Sequence, residues 1–128
     1  MRAGGRGGAI VNVSSVLGLR PMSGAAHYAA AKAGIIAFTK TLAREIATKG
    51  VTANTVCPGP TDTPALRKFA SNSGDDADKV LAGMTRAVPM KRLAKPSDVA
   101  AAVAFFASDA AEYVTGQTLS VSGGLTMA

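Results

Sequence analysis

The sequence predicts an α/β fold with a mainly parallel sheet. Three observations predict it. Runs rich in β-branched residues alternate with segments of helical period. The stretch between the first two runs is long enough for a crossover helix, which parallel neighbours require. The C-terminal part opens a helix at Pro96-Ser97-Asp98 and closes on a short apolar run ending at Gly123-Gly124.

The first strand is read at residues 9–14, AIVNVS, after a glycine-rich start over residues 1–8 that reads as flexible. Gly18, Pro21 and Gly24 mark the loop that follows. A helix is expected from about Ala25 to Thr48, with Lys49-Gly50 as its stop. VTANTVC, residues 51–57, is the second strand, and PGPTDTP, residues 58–64, is a turn region. Residues 65–95 are weakly patterned, with short helices expected over 65–70 and 77–86, as suits a lid or substrate loop. The next helix starts at Pro96 and turns Val99, Val103 and Phe106 to one side, and the last strand covers Thr118 to Val121.

Composition narrows the function. At 128 residues the chain fits one small domain, and 48% hydrophobic residues suffice for a core. Aromatic residues make up 5% and Trp is absent, which argues against a surface that stacks bases or sugars. The net charge is +6, but the 14 basic residues are scattered, with Arg67-Lys68 and Lys91-Arg92 the longest runs. No nucleic-acid partner is expected from that pattern, whereas anionic substrates and phosphate-bearing cofactors are compatible with it. Cys57 is the single cysteine, so no internal disulfide forms and a cytoplasmic setting is expected. It reads as a small buried hydrophobe. No membrane partner is expected either. The run from Ala9 to Val16 is broken by Asn12, Ser14 and Ser15, and no segment has the length of a span. Gly4, Gly5, Gly7 and Gly8 precede a strand and complete no dinucleotide fingerprint. There is no P-loop and no zinc spacing, so no metal is expected, and His27 is the only histidine.

The long helix carries the first candidate chemistry. Its apolar stripe is expected to be Tyr28, Ala31, Ile35, Phe38, Leu42 and Ile46, with Lys40 and Arg44 turned away. Lys32 falls about 40° from Tyr28, one turn further on. A lysine there either snorkels from the stripe's edge or serves the tyrosine. A free phenol titrates near 10, too high for proton transfer at neutral pH. An ammonium about 4 Å from a phenol is worth roughly 4 kcal/mol at an effective dielectric near 20, enough to bring it into the working range. Ser15 lies just past the carboxyl end of the first strand, where open α/β sheets place ligands. It is either a turn serine or a hydroxyl for a substrate carbonyl. Pro58-Gly59 stands at the same end of the second strand. It is either a plain turn or a backbone that admits a flat ring, with Thr61 and Thr63 adding hydroxyls.

These residues occur in an order and spacing that resemble the short-chain dehydrogenase/reductase family. VNVSS at 11–15 looks like the strand ending in the catalytic serine, and YAAAKAG at 28–34 like the catalytic tyrosine and lysine. NTVCPGPTDTP at 54–64 resembles the nicotinamide-side loop, and residues 92–124 the family's last helix and strand. The likeness is greatest to 3-oxoacyl-[acyl-carrier-protein] reductase-like members. It implies a catalytic set of Ser15, Tyr28 and Lys32, with Tyr28, Lys32, Pro58, Gly59, Thr61 and Thr63 touching NAD or NADP. It implies hydride exchange between a ketone or 3-oxoacyl group and a secondary alcohol, and a homodimer or homotetramer in the full-length parent.

The same resemblance implies part of a Rossmann-type, doubly wound parallel sheet, equivalent to the family's strands 5, 6 and 7. Residues 1–128 are then expected to be the C-terminal catalytic and substrate-binding half of one domain. The dinucleotide-binding half, the residue that selects NAD or NADP, and the family's catalytic Asn are not in the sequence. The alternative expectation is an inactive fragment that serves only as an interaction or dimerisation module.

Overall fold

The computed structural model describes residues 7–127. The glycine-rich start therefore lies mostly outside the described residues, as do Arg2, Arg6, Gly4 and Gly5. Gly8 is not part of a flexible start; it opens the first strand. The elements are β1 (Gly8–Val13), α1 (Ala26–Ile46), β2 (Val51–Pro58), α2 (Pro64–Ser71), α3 (Ala77–Ala87), α4 (Pro96–Ala107) and β3 (Thr118–Val121).

The three strands form a parallel sheet in the order β1-β2-β3. Ile10 pairs with Ala53 and Val13 with Val56, and Thr55 and Val56 pair with Thr118 and Leu119. Alternation along the strands gives the sheet two faces, and each receives one long helix. On one face Ile10, Val51 and Ala53 pack with Leu42, Ala43 and Ile46 of α1. On the other, Val11, Val56 and Val121 pack with Val99, Ala102, Val103 and Phe106 of α4. The chain steps across the sheet in one direction while its two crossovers lie on opposite faces. Their hands are therefore opposite, and one departs from the right-handed preference. Among the described residues β1 has one neighbour, so its outer edge is open.

The ends of α1 follow the sequence, but its buried face does not. The helix runs to Ile46, a 3-10 turn continues it to Lys49, and Gly50 closes it in the left-handed region at φ 66°. The expected stripe of Tyr28, Ala31, Ile35, Phe38, Leu42 and Ile46 needs correction. The buried residues are Ala29, Ile36, Thr39, Ala43 and Ile46, while Tyr28 and Phe38 are exposed. The inward arc is offset by one residue because small side chains let the helix lie close to the sheet. Only Ile46 belongs to both sets. Lys32 falls on this arc, between Ala29 and Ile36, and is half-buried.

Polar ties bridge the close-packed layers. Asn12 Nδ2 donates to Thr39 Oγ1 at 2.8 Å, and the Thr39 hydroxyl donates to the Ile35 carbonyl at 2.7 Å. Fully buried Asn54 donates to the Val114 carbonyl at 2.8 Å and accepts from the Gln117 N–H at 3.0 Å. It thereby fixes the segment that leads into β3.

The insert between β2 and α4 is a helix pair, α2 against α3, within a residue or two of the expected spans. Its two roots are joined by a parallel bridge between Thr61 and Ala94. Asp62 N–H donates to the Ala94 carbonyl at 2.8 Å, and Ala94 N–H to the Pro60 carbonyl at 2.9 Å. The second root leans on the chain after β3, where Met90 N–H donates to the Gly123 carbonyl at 3.1 Å. No helix among the described residues is long and apolar enough to cross a membrane.

Candidate active site

The candidate residues gather at the carboxyl ends of β1 and β2, where the parallel strands release their chain into loops. Ser14 leaves β1 but keeps the ladder for one more step, its N–H donating to the Val56 carbonyl at 2.8 Å. Ser15 is extended, at φ −163° and ψ 156°, and caps the 3-10 turn Val16–Gly18. Its hydroxyl oxygen accepts from Leu17 N–H at 3.1 Å, which leaves the Ser15 proton free to donate.

Tyr28 lies in the first turn of α1 and is 43% exposed, so its ring is open to a ligand. The Lys32 ammonium stands 5.6 Å from the centre of that ring. It also donates to the Val13 carbonyl at 3.3 Å, which ties the cation to the last residue of β1. An ammonium over an aromatic face at a largely exposed site is held by about 0.5–1 kcal/mol.

Pro58 ends β2 opposite Val121, and Gly59 N–H donates to the Val121 carbonyl at 2.9 Å. The close approach that Gly59 permits is to the protein itself, since a Cβ there would lie 2.9 Å from Ser122 Cα. Thr61 donates its hydroxyl proton to the Gly59 carbonyl at 2.9 Å, and Thr63 caps α2 by accepting from Leu66 N–H at 3.2 Å. Both hydroxyls thus have local structural work. The structure groups Ser15, Tyr28 and Lys32 about the end of β1, with Pro58 and Gly59 on the adjacent strand end. Thr61 and Thr63 stand further out, at the root of the insert.

Two neighbours of the group were not singled out by sequence reading. Ser14 Oγ donates to the Lys32 carbonyl at 2.7 Å. Gly18 presses on the same peptide, and a Cβ there would lie 2.9 Å from Lys32 C and 3.0 Å from Ala33 N. From sequence Ser14 reads as the last residue of the first strand, and Gly18 as a loop glycine. Fully buried Cys57 lies beneath them. Burial pushes its thiol up, opposed by the nearby Ser14 hydroxyl, Ser15 N–H and Lys32 charge. It is the small buried residue expected. His27 is exposed.

The Gly18 contact predicts a stability effect. Gly18→Ala must push α1 away from the end of β1 and is expected to cost about 1–3 kcal/mol. Urea unfolding of the two chains measures it, and an unchanged midpoint would show that the helix has room to shift.

A sequence model described as enoyl-(acyl carrier protein) reductase matches residues 1–126. The chain belongs to the short-chain dehydrogenase/reductase family. It is 48% identical over 122 residues to the 3-oxoacyl-[acyl-carrier-protein] reductase FabG of Vibrio cholerae, covering 95% of this chain and 47% of that protein. It is 45% identical over 118 residues to nodulation protein G of Azospirillum brasilense, covering 92% of this chain and 45% of that one. Among solved structures, the ligand-free aldohexose dehydrogenase of Thermoplasma acidophilum superposes with a TM-score of 0.87 at 40% identity, covering 94% of this chain and 48% of that one. The chain therefore spans about half the length of these relatives. Its three-stranded sheet with helices on both faces is the corresponding part of this family's Rossmann-type fold.

Proposed function

We propose that this short-chain dehydrogenase/reductase chain is the catalytic and substrate-binding half of an NAD(P)-dependent oxidoreductase. The reaction interconverts a ketone or 3-oxoacyl group and a secondary alcohol. The observation that carries this reading is the Lys32 ammonium held over the exposed Tyr28 ring at the end of β1, with the Ser15 proton free two residues beyond Val13.

The donor set suits a nicotinamide cofactor. A ribose offers two adjacent hydroxyls, and Lys32 has three N–H donors, one of which is spent on Val13. Lys32 would hold that ribose, while Pro58, Gly59, Thr61 and Thr63 line the ring side. When bound, the nicotinamide supplies or accepts the hydride. Tyr28 gives its proton to the carbonyl oxygen in reduction and takes it back in oxidation. Lys32 stabilises the phenolate that Tyr28 leaves behind. Ser15 donates to the same oxygen and fixes the carbonyl's orientation. The α2–α3 pair covers the substrate, and its half-buried Leu66, Leu81 and Met84 provide an apolar lining. The similarity to FabG supports a 3-oxoacyl thioester as substrate. A second copy would pack on the exposed side of α1, where Phe38 is 60% exposed, in a cytoplasmic dimer or tetramer.

The dinucleotide-binding half would pair its last strand with the open edge of β1. That edge also favours the second reading, an inactive fragment that serves only as an interaction or dimerisation module. Fusing the N-terminal half of the V. cholerae reductase to this chain tests both. The fusion is expected to oxidise NADH or NADPH with a 3-oxoacyl thioester, and the chain alone is not. A folded fusion that binds either cofactor yet turns over no carbonyl would refute the catalytic reading.

A further inference from the structure

The Lys32 peptide is held from two sides by the segment that leaves β1. Ser14 Oγ donates to its carbonyl at 2.7 Å, and Gly18 lies so close that a Cβ would sit 3.0 Å from the same oxygen. The side chain is tied to that segment too, through Nζ and the Val13 carbonyl at 3.3 Å. In a regular helix the Lys32 carbonyl would accept only from residue 36, so its second lone pair is available to Ser14. Ser14 itself cannot drift. It is 4% exposed, and its N–H is fixed by Val56.

We propose that Ser14 is a positioning residue for the Tyr28–Lys32 pair. Its hydroxyl sets the rotation and axial register of α1 against the end of β1, so that Lys32 Nζ reaches the Val13 carbonyl, and that tie holds the ammonium over the Tyr28 ring. The inference rests on the catalytic reading above only for its consequence; the positioning itself is a property of the chain. Two arguments favour a specific role over general adhesion. The bond lands on the peptide of the residue that carries the cation, not elsewhere on the helix. A separate tie, Asn12 to Thr39, already holds α1 to β1 about two turns away. That tie fixes the helix's distance from the sheet but leaves rotation at the Lys32 end to Ser14 and Gly18.

The position of Lys32 can be read without turnover. A lysine side chain over an aromatic ring has its methylene protons moved upfield by the ring current. Carbon–proton spectra of the lysine-labelled 128-residue chain should show one such displaced signal, assigned by its loss in Lys32→Arg. In Ser14→Ala that signal is expected to move to the position of exposed lysines, and in Ser14→Thr, which keeps the hydroxyl, to stay. Thr39→Val is the structural control. It breaks the other tie and should lower the melting temperature by several degrees while leaving the Lys32 signal in place. A displaced signal that survives in folded Ser14→Ala would overturn the proposal. So would its loss in Thr39→Val, which would mean that any loosening of α1 suffices. In the fusion enzyme the expected consequence is a fall in kcat of about tenfold or more with KM within twofold, restored by Ser14→Thr. If the signal moves as expected but no variant turns over a carbonyl, the positioning stands and the catalytic reading fails.

Discussion

Tyr28→Phe is expected to lower the turnover of the fusion enzyme by about 10²–10⁴-fold, the usual worth of a positioned proton donor. Cofactor binding should change little. The phenol is the only proton donor in the group placed both on an exposed ring and beside a cation. Ser15 cannot replace it, because an aliphatic hydroxyl is a far weaker acid than a phenol. Phenylalanine keeps the ring under the Lys32 ammonium, so the substitution removes the hydroxyl and spares the packing. Steady-state rates of NADH or NADPH consumption, and fluorescence titration of the cofactor, separate the two effects. Turnover within tenfold of the parent would mean that the proton comes from elsewhere.

The second large effect is on stability. Asn54→Ala is expected to destabilise the chain by about 2–5 kcal/mol, since two part-buried hydrogen bonds of a fully buried side chain are lost at roughly 1–3 kcal/mol each. The partners are the Val114 carbonyl and the Gln117 N–H, and both belong to the segment that feeds β3. Asn54 is fully buried on the central strand, so water cannot replace the side chain without opening the sheet. β3 has only four residues and depends on that segment for its register. Urea unfolding gives the difference. A loss below about 1 kcal/mol would show that the two groups find other partners.

Much of this architecture is legible in the residues. The β-branched runs place all three strands to within a residue. Gly50 and Pro96 mark a helix end and a helix start by their own backbone chemistry. The strand-helix order gives the parallel sheet. The buried face of α1 is not legible from hydrophobicity. Tyr28 and Phe38 look like core residues but face out, while Ala29, Thr39 and Ala43 form the contact because they are small. Whether a helix lies close or far is decided by the partner surface, and a single segment does not record that.

The candidate site divides in the same way. Ser15, Tyr28 and Lys32 each leave a plain structural reading open, and it is the resemblance to the family, in order and spacing, that singles them out as a set. The chemistry of Thr61 and Thr63 is ambiguous, and the structure gives both hydroxyls local hydrogen bonds. Ser14 and Gly18 were invisible because their importance lies in where the Lys32 peptide happens to pass.

The central claim is that Tyr28 and Lys32 act as one unit, and a double-substitution cycle in the fusion enzyme tests it most directly. Residues that work as a unit are non-additive, since removing the second costs little once the first is gone. Tyr28→Phe with Lys32→Ala together is expected to be scarcely slower than Tyr28→Phe alone, when both cofactor and substrate are saturating. Losses in kcat that multiply would mean that the two residues contribute independently, and the proton-transfer pair would not exist.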